Sequence, residues 1–294
     1  MQVSIVIINY NTFTLTSNCI RSVIECTHDI EYEIILIDNA STENNPEIFL
    51  KEFPQIKLVK SAINGGFAYG NNLGIEKASG DYLLLLNSDT ILKENSISKS
   101  LYYLKNYENG GVIGCRMIFP EGKVQYTARK FKSIRWELLD FFRFIPLMMS
   151  YKKRSRLMFG KYFKCNENIE CDWVNGAFLM FPKKIVDQLP GKKLDDRFFM
   201  YGEDQLWCWQ IKNLDYKILF YAKTTIIHIN SGSTDLSKHL ALRKTMIKHE
   251  LEIMRLRKGK GIYYHVFCII YGIKETIRNF IKLVVLKFSG KLIK

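Results

Sequence analysis

The sequence lacks the cysteine spacing of a metal or disulfide framework, and it lacks a long apolar run. Its seven cysteines are odd in number, no CxxC occurs, and the closest pair, Cys165 and Cys171, falls outside the usual zinc spacings. The apolar run at 263–273 has eleven residues and contains His265, whereas a membrane span takes about 20. These absences argue against a disulfide scaffold and predict reduced thiols in a chain without a transmembrane helix.

The amino-terminal segment also lacks a basic leader, an apolar core and a small-residue cleavage site, so we expect no secretory signal. Neither an internal repeat nor a low-complexity segment is present. The sequence therefore predicts a cytoplasmic protein, with the inner face of the plasma membrane as a further expected location.

Positive charge is concentrated in two segments of the 294 residues. The chain is 47% apolar and 24% charged, which excludes disorder, and its formal net charge is +14. Residues 123–164 contribute +10 and residues 251–294 contribute +8, so the remainder is mildly acidic. This distribution predicts contact with anions at particular surfaces and argues against a uniformly basic nucleic-acid-binding module.

The first hundred residues alternate short apolar runs with helical stretches. The predicted strands are 4–8, 33–37, 57–59 and 82–86, and the predicted helices are 14–26 and 71–78. Continuous apolar runs are typical of parallel strands covered on both faces. We therefore predict a doubly wound α/β half-domain that binds ligands beyond the carboxyl ends of its strands. Polar clusters at 9–11, 38–41 and 87–89 follow three of these strands.

The pattern loosens after residue 110. It predicts strands of mixed orientation at 111–118 and 176–181, short helices at 184–189 and 203–212, a strand or strand pair at 216–228, and helices from 236 onwards. We expect a domain at 1–235 with a basic, aromatic insertion at 123–164, followed by a helical, basic region at 236–294.

Three polar motifs have the residue types of a catalytic site. Asn87-Ser88-Asp89 follows a buried strand and suits a hard divalent cation, although Asp89 as the cap of a following helix explains it equally well. The turn at 64–74 begins with Asn64 and two glycines, which allow backbone N–H groups to face a phosphate, or it is an ordinary β-to-α turn. Glu203-Asp204 opens a helix, where acids either stabilise the first turn or act as general base and orienting group.

His228 ends a predicted strand. A histidine at such a position is more often a buried structural residue than a ligand, but a neutral imidazole there would join Asp89 on a metal ion.

Seven motifs in order give a resemblance to a known family. They are SIVIINYNT (4–12), EIILIDNAST (33–42), NGGFAYGNN (64–72), LLLLNSD (83–89), WVNGAFLM (173–180), FFMYGEDQLW (198–207) and HINSGS (228–233). Together they resemble the inverting family 2 glycosyltransferases, in particular the rhamnosyltransferase-like branch. The resemblance implies a GT-A fold, a nucleotide-diphospho-sugar donor (dTDP- or UDP-linked) and a divalent metal, Mg²⁺ or Mn²⁺.

The resemblance also implies roles for individual residues. Asp204 corresponds to the general base, with Glu203 as its neighbour, and Asp89 and His228 correspond to metal ligands, Asn87 replacing the first acid of the Asp-X-Asp motif. The residues that correspond to nucleotide- or donor-binding positions are Asn9, Asn11, Asp38, Asn64, Gly65, Asn71, Asn87 and Ser88. Those near the donor sugar and acceptor are Trp173, Asn175 and Gly176.

An inverting transfer is one in-line displacement at the anomeric carbon, so a single carboxylate base suffices, whereas glycosidases use two carboxyl groups. The acceptor is expected to be a glycan or a lipid-linked sugar of surface polysaccharide or O-antigen synthesis. A sugar-nucleotide pyrophosphorylase is the enzyme alternative, but Asn9-Tyr10-Asn11-Thr12 stands where its Gly-rich basic loop should be.

The C-terminal region is amphipathic. Apolar residues recur at a spacing of three and four from Val266 to Val284, and Lys274, Arg278 and Lys282 recur every fourth position. This pattern predicts an interfacial helix on an anionic leaflet, a helix packed on the catalytic domain, or a contact in a homodimer. Arg129 and the other basic and aromatic residues of the insertion are expected to meet lipid head groups or a lipid-linked diphosphate, or to form a lid over the donor.

Overall fold

The computed structural model describes residues 1–229 and 236–288. Residues 230–233 of the HINSGS motif lie outside this range. Within it, the strands are β1 (Val3–Asn9), β2 (Tyr32–Asp38), β3 (Lys57–Lys60), β4 (Tyr82–Asn87), β5 (Thr90–Leu92), β6 (Gly110–Ile118), β7 (Val124–Gln125), β8 (Ala128–Arg129), β9 (Ile169–Cys171), β10 (Trp173–Val174), β11 (Phe178–Pro182) and β12 (Lys217–His228).

The helices in the same range are α1 (Phe13–Cys26), α2 (Ile48–Glu52), α3 (Gly66–Lys77), α4 (Ser96–Lys105), α5 (Ile134–Phe141), α6 (Phe144–Leu147), α7 (Tyr151–Met158), α8 (Glu203–Lys212), α9 (Leu236–Lys258) and α10 (Ile262–Phe288). Short 3₁₀ segments occupy Gly160–Tyr162, Lys183–Gln188 and Pro190–Lys192. None of these helices is long and apolar enough to cross a bilayer.

A single mixed sheet organises the amino-terminal 229 residues. Its strand order is β3-β2-β1-β4-β11-β6-β12-β5, with β7 paired to β6 and β9 to β12, and β8 pairs with β10 separately. The first four strands in this order run parallel, while β11 is antiparallel to β4 and β6. The predicted parallel half and the predicted mixed orientation beyond it are both confirmed.

The sheet is covered on both faces because its central strands carry apolar residues at successive positions. In β1, Val6 packs into a core with Ile37 and Leu85, whereas Ile5 and Ile7 pack into a second core on the other face. Side chains alternate between the faces of a strand, so a run without polar residues buries both.

Three local expectations need correction. Helix α3 begins at Gly66 and not at 71, and residues 183–188 form a 3₁₀ segment. Asp89 caps no helix: β5 follows it directly, and the next helix begins at Ser96, with Asn95 in the preceding position. The reason is that Thr90–Leu92 pairs with the end of β12, which the sequence did not indicate.

The insertion and the C-terminal helices pack on each other. The insertion forms β7, β8, α5, α6 and α7, and α10 lies against α5. Phe267 and Tyr271 of α10 form a small core with Met254 of α9. One face of α10 therefore packs on the rest of the protein, which agrees with the alternative that this helix packs on the catalytic domain. The division of the chain at residue 235 stays a prediction.

We predict that Gly74→Ala destabilises the protein although alanine favours helices. A methyl group at Gly74 of α3 would overlap the side chain of Val6, which is fully buried in β1. Overpacking of this kind costs about 1–3 kcal/mol. At Gly272 of α10, no atom of the described residues lies within 4 Å of the corresponding position. The control Gly272→Ala is therefore expected to increase the free energy of unfolding by about 0.5–1 kcal/mol. If Gly74→Ala and Gly272→Ala shift the urea unfolding midpoint in the same direction, the close contact between α3 and β1 is contradicted.

Candidate active site

The amide of Asn9 joins the loops that follow β1 and β2. The register places Asn9 opposite Asp38, and Asn9 Nδ2 donates to Asp38 Oδ1 (2.8 Å) and to Ser41 Oγ (2.9 Å). Asp38 Oδ2 accepts a hydrogen bond from the Ser41 N–H (3.1 Å). Asn9 Oδ1 accepts from the hydroxyls of Thr12 and Thr16. This buried network holds both loops at the carboxyl edge of the sheet.

Asn11 lies at the exposed rim of this network. It has a φ of +53°, which asparagine tolerates better than most residues. Its Oδ1 accepts from the Thr42 N–H (2.8 Å), and its backbone N–H donates to Ser41 Oγ (3.1 Å). The turn thereby aligns the 9–12 and 38–42 segments side by side.

The glycine turn joins the amino end of α3 to the segment before α8. Asn64 Oδ1 accepts from the Gly66 N–H (3.1 Å) and from Asn39 Nδ2 (2.9 Å). Gly66 has a φ of +87°, and a Cβ there would collide with the carbonyl of Phe199. The Phe67 N–H donates to this carbonyl (2.9 Å). A glycine is required at this position because both the backbone angle and the space exclude a side chain.

Asp89, His228 and Asn87 meet where β4 ends and β5 pairs with β12. His228 Nε2 lies 3.3 Å from Asp89 Oδ1 and 3.5 Å from Asn87 Nδ2. On the other side of the ring, His228 Nδ1 lies 2.8 Å from Gln125 Oε1. Gln125 Nε2 donates to the His228 carbonyl (2.6 Å), so Gln125 Oε1 is the atom left to accept the Nδ1 proton.

These contacts fit a cation between the imidazole and the carboxylate. With one proton of His228 on Nδ1, its Nε2 faces Asp89 Oδ1, and the space between these two atoms suits a proton or a metal ion. Asn87 Oδ1 is buried and has no hydrogen-bond partner among the described residues, and an amide oxygen is a ligand of the kind that Mg²⁺ and Mn²⁺ accept. No group of three or more His, Cys, Asp or Glu side chains suited to a metal occurs in the described ranges, so phosphate and water oxygens would complete the shell.

The two adjacent acids at the start of α8 have different environments. Asp204 Oδ2 accepts from the Gly176 N–H (3.1 Å) and Asp204 Oδ1 from the Gln205 N–H (2.8 Å). Glu203 is buried, and within residues 1–229 and 236–288 its Oε2 has no hydrogen-bond partner. Burial and the neighbouring charge of Asp204 raise the pKa of Glu203 to about 8.

Burial also raises the pKa of Asp204, but the two backbone N–H groups and the positive charge of Arg129 act in the opposite direction. Hydrogen bonds to a carboxylate stabilise its ionised form. Of the pair, Asp204 is therefore the group that carries the negative charge near neutral pH.

A short peptide segment connects this acid to the end of β4. The Asn87 N–H donates to the Ala177 carbonyl (3.0 Å). The N–H of Gly176, which precedes Ala177, donates to Asp204 Oδ2. Asn175 Oδ1 accepts from the Ala177 N–H (2.9 Å) and so stabilises the turn into β11. Trp173 lies further along the same segment, 5.7 Å below the guanidinium of Arg129. Gly176 and Ala177 thus lie between Asn87 and Asp204.

Comparison with known proteins identifies the family. Residues 4–169, more than half of the chain, match the model for glycosyl transferase family 2. The chain belongs to this family.

Two curated relatives show the range of similarity of this family 2 glycosyltransferase. It is 32% identical to the glycosyltransferase GlyG of Streptococcus pneumoniae over 115 residues, which is 38% of either chain. It is 22% identical to the N-acetylglucosaminyl-diphospho-decaprenol L-rhamnosyltransferase of Mycobacterium tuberculosis over 231 residues, covering 71% of this chain and 70% of the relative. The match therefore spans well under half of GlyG and most of the rhamnosyltransferase.

The fold is that of GT-A glycosyltransferases, as predicted. A mannosyltransferase from Pyrobaculum calidifontis, solved with GDP-Man and Mn²⁺, superposes with a TM-score of 0.59 over 92% of this chain and 67% of that chain, at 13% identity. At this identity the comparison supports the architecture alone.

The structure of this glycosyltransferase brings most of the predicted site residues to one edge of the sheet. Ser88 Oγ lies 3.4 Å from Thr12 Oγ1, which links the end of β4 to the loop after β1. Gly65 precedes the first residue of α3. Asn71 is buried in α3, where its side chain donates to the Phe67 carbonyl (3.0 Å). The roles of all these residues remain predictions.

Gln125 is a site residue that the sequence motifs did not reveal. It precedes His228 by 103 residues, in a two-residue strand inside the basic insertion, and no local pattern distinguishes it from other polar residues. Arg129 was expected to face an acceptor or lipid, and it lies within electrostatic reach of Asp204.

We predict that the stability of the ligand-free protein falls between about pH 4.5 and pH 8 and that Glu203→Gln reduces this fall. Because the folded-state pKa of Glu203 is raised from 4.5 to about 8, the folded state keeps a proton that the unfolded state loses over this range. The contribution is present below pH 4.5 and is lost as the pH rises through 8, with a slope of at most about 1.4 kcal/mol per pH unit. Melting temperatures from pH 4 to 9 measure it.

Glu108→Gln, which changes an exposed acid, serves as the control. Parallel melting curves against pH for wild type and Glu203→Gln would show that Glu203 is ionised in the folded protein at neutral pH.

Proposed function

We propose that the protein transfers a sugar from a nucleotide-diphospho-sugar to an acceptor hydroxyl, with inversion at the anomeric carbon. One observation carries this proposal: the segment 175–177 accepts a hydrogen bond from Asn87 on the cation side and donates one to Asp204 on the other. A donor with its diphosphate near Asp89 would place its anomeric carbon towards Asp204.

Asp204 is the general base in this proposal. An alcohol is a poor nucleophile at neutral pH, and proton removal by a positioned carboxylate is worth roughly 10²–10⁴-fold in rate. The N–H groups of Gly176 and Gln205 hold the carboxylate in place and favour its charged form. Glu203, with its raised pKa, remains protonated and is placed to orient a hydroxyl without a second negative charge nearby.

Asp89, His228 and Asn87 would hold a divalent cation, Mg²⁺ or Mn²⁺. Such a cation supplies positive charge against the negative charge that develops on the departing diphosphate. Gln125 keeps the proton of His228 on Nδ1, so Nε2 is available as a ligand.

The nucleotide would lie over the loops after β1 and β2. Asn9, Asn11 and Asp38 line this edge, and the turn at Asn64 and Gly65 is held beside it by the hydrogen bond from Asn39 to Asn64. Asn71 contributes through the position of α3, since its amide is buried inside the helix. A dTDP- or UDP-linked donor fits the family resemblance.

The acceptor would approach from the side of Trp173 and Arg129. Because the mycobacterial relative is named for a diphospho-decaprenol acceptor, we propose a lipid-linked or glycan acceptor in surface polysaccharide synthesis. Rhamnose is the proposed sugar. A lipid-linked acceptor places the reaction at the inner surface of the plasma membrane.

A screen of nucleotide sugars for donor hydrolysis, with metal added or chelated, tests the reaction class. Thermal stabilisation by UDP or dTDP with Mn²⁺, and none by ATP or an oligonucleotide, is the expected binding result. Incorporation of labelled pyrophosphate into a nucleoside triphosphate would instead indicate a pyrophosphorylase.

Asp204→Asn is expected to lower sugar transfer by about 10²–10⁴-fold, since the amide cannot accept the hydroxyl proton. Nucleotide binding should stay within a factor of two of wild type in isothermal titration. Asp196→Asn, which removes a surface ion pair with Lys193 a few residues away, is the matched control and should keep full activity. Wild-type turnover by Asp204→Asn would rule out Asp204 as the base.

Asp89→Asn is expected to remove the effect of Mn²⁺ on nucleotide binding. In the wild type, Mn²⁺ should tighten UDP or dTDP binding by at least tenfold, because the metal neutralises diphosphate charge. Asp81→Asn, at the opposite end of the strand that precedes Asp89, is the control. If chelator-treated wild-type protein binds and turns over at the full rate, Asp89 has no metal-binding role.

A further inference from the structure

Helix α10 is turned with its charged side inwards. Lys274 is 2% exposed, and Glu275 and Arg278 lie on the same packed side. Lys274 pairs with Glu137 and, at 3.0 Å, with Asp140 of α5. Arg278 also pairs with Asp140 (3.1 Å). Two of the basic residues that the sequence pattern placed towards lipid, Lys274 and Arg278, are therefore ion-paired with acids of the protein.

The apolar side of α10 faces outwards. Ile269 is 62% exposed and Phe280 is 67% exposed, and the exposed residues repeat at helical spacing along one side. They include Ile262, Val266, Ile269, Ile273, Phe280 and Ile281. A helix on the surface of a protein that contacts only water shows the reverse arrangement, with apolar residues inwards.

A second group of exposed apolar residues adjoins α10 at Asp140. Most of the residues that follow Asp140 are apolar and exposed, including Phe142, Phe144, Leu147 and Met148, the last of which is 85% exposed. Asp140 itself holds Lys274 and Arg278 of α10. The exposed residues of 141–148 and the outer side of α10 are together named the docking face.

The exposed charges around the docking face are basic. The only acids in 134–164 are Glu137 and Asp140, and the only acid in 262–288 is Glu275; all three are buried. Arg135, Arg143, Lys152 and Lys153 are exposed. Burial of the acids beneath α10 therefore leaves an outer surface of apolar and positively charged side chains.

We propose that the docking face binds the surface of an anionic lipid bilayer. Exposed apolar side chains insert between head groups, and lysine and arginine beside them attract anionic lipids. A second copy of the chain fits less well, because a twofold contact would bring the same basic residues against each other. This inference adds a lipid partner to the proposed function, but vesicle binding is measured without sugar transfer and so tests it separately.

Surface substitutions are better tests than deletion of α10, which would remove Lys274 from the buried acids Glu137 and Asp140. The full chain is mixed with vesicles of phosphatidylcholine containing 30% phosphatidylglycerol and sedimented. We expect wild type to bind, Ile269→Asp with Phe280→Asp to bind at least tenfold more weakly, and Ile63→Asp, at an exposed site on a loop after β3, to bind as wild type does. Vesicles of phosphatidylcholine alone, or added salt, should weaken wild-type binding.

Donor hydrolysis and thermal melting of the double variant should match wild type, which separates loss of docking from loss of folding or catalysis. The proposal is overturned if wild type does not bind the anionic vesicles, or if the double variant binds as well as wild type. It is also overturned if light scattering without vesicles shows a dimer that the double variant dissociates, because the face would then bind a second copy.

Discussion

The parallel register of β1, β2 and β4 is the constraint on which the site depends. It sets Asn9 opposite Asp38, and Ile8 opposite Asn87, so the polar residues after three separate strands reach the same edge. A shift of one residue in any pair would turn the buried apolar side chains to the opposite face. The two apolar cores that cover the sheet therefore determine the position of the candidate catalytic edge, although no apolar side chain of these cores lies at that edge.

The protein buries acids in two different ways. Glu137 and Asp140 are buried with Lys274, and the pKa of Asp140 is lowered to about 2, where burial is outweighed by Lys274 and its other cationic neighbours. Glu203 is buried beside another acid, and its pKa is raised. The ion pairs of Glu137 and Asp140 with Lys274 fix α10 on α5. Glu203, in contrast, keeps its proton and leaves Asp204 as the charged group. Burial also raises the pKa of Glu137 although Lys274 acts in the opposite direction, so the neighbouring charge alone does not set the direction of these shifts.

The insertion contacts both the candidate active site and the docking face that we propose for lipid. It supplies Gln125 to His228 and Arg129 to the surroundings of Asp204, and further along the chain it supplies Asp140 to α10. A lipid-linked acceptor bound from this side would meet the apolar docking face before it reached the acid pair. Both proposed roles are consistent with the basic, aromatic composition of residues 123–164.

The strands of the first half, the helix at 203–212 and the family were all determined by the sequence itself, because buried parallel strands and helix starts depend on local composition. The ordered motifs also located Asp38, Asp89, Asp204 and His228. Tertiary structure alone decided that Asp89 precedes a strand, since Thr90–Leu92 pairs with a strand more than a hundred residues away, and that Gln125 contacts His228. It also decided the orientation of α10. A 3.6-residue periodicity shows that a helix has an apolar and a charged side, but which side is buried depends on the surface against which the helix packs. Here the charged side of α10 is buried because Glu137 and Asp140 of α5 pair with Lys274.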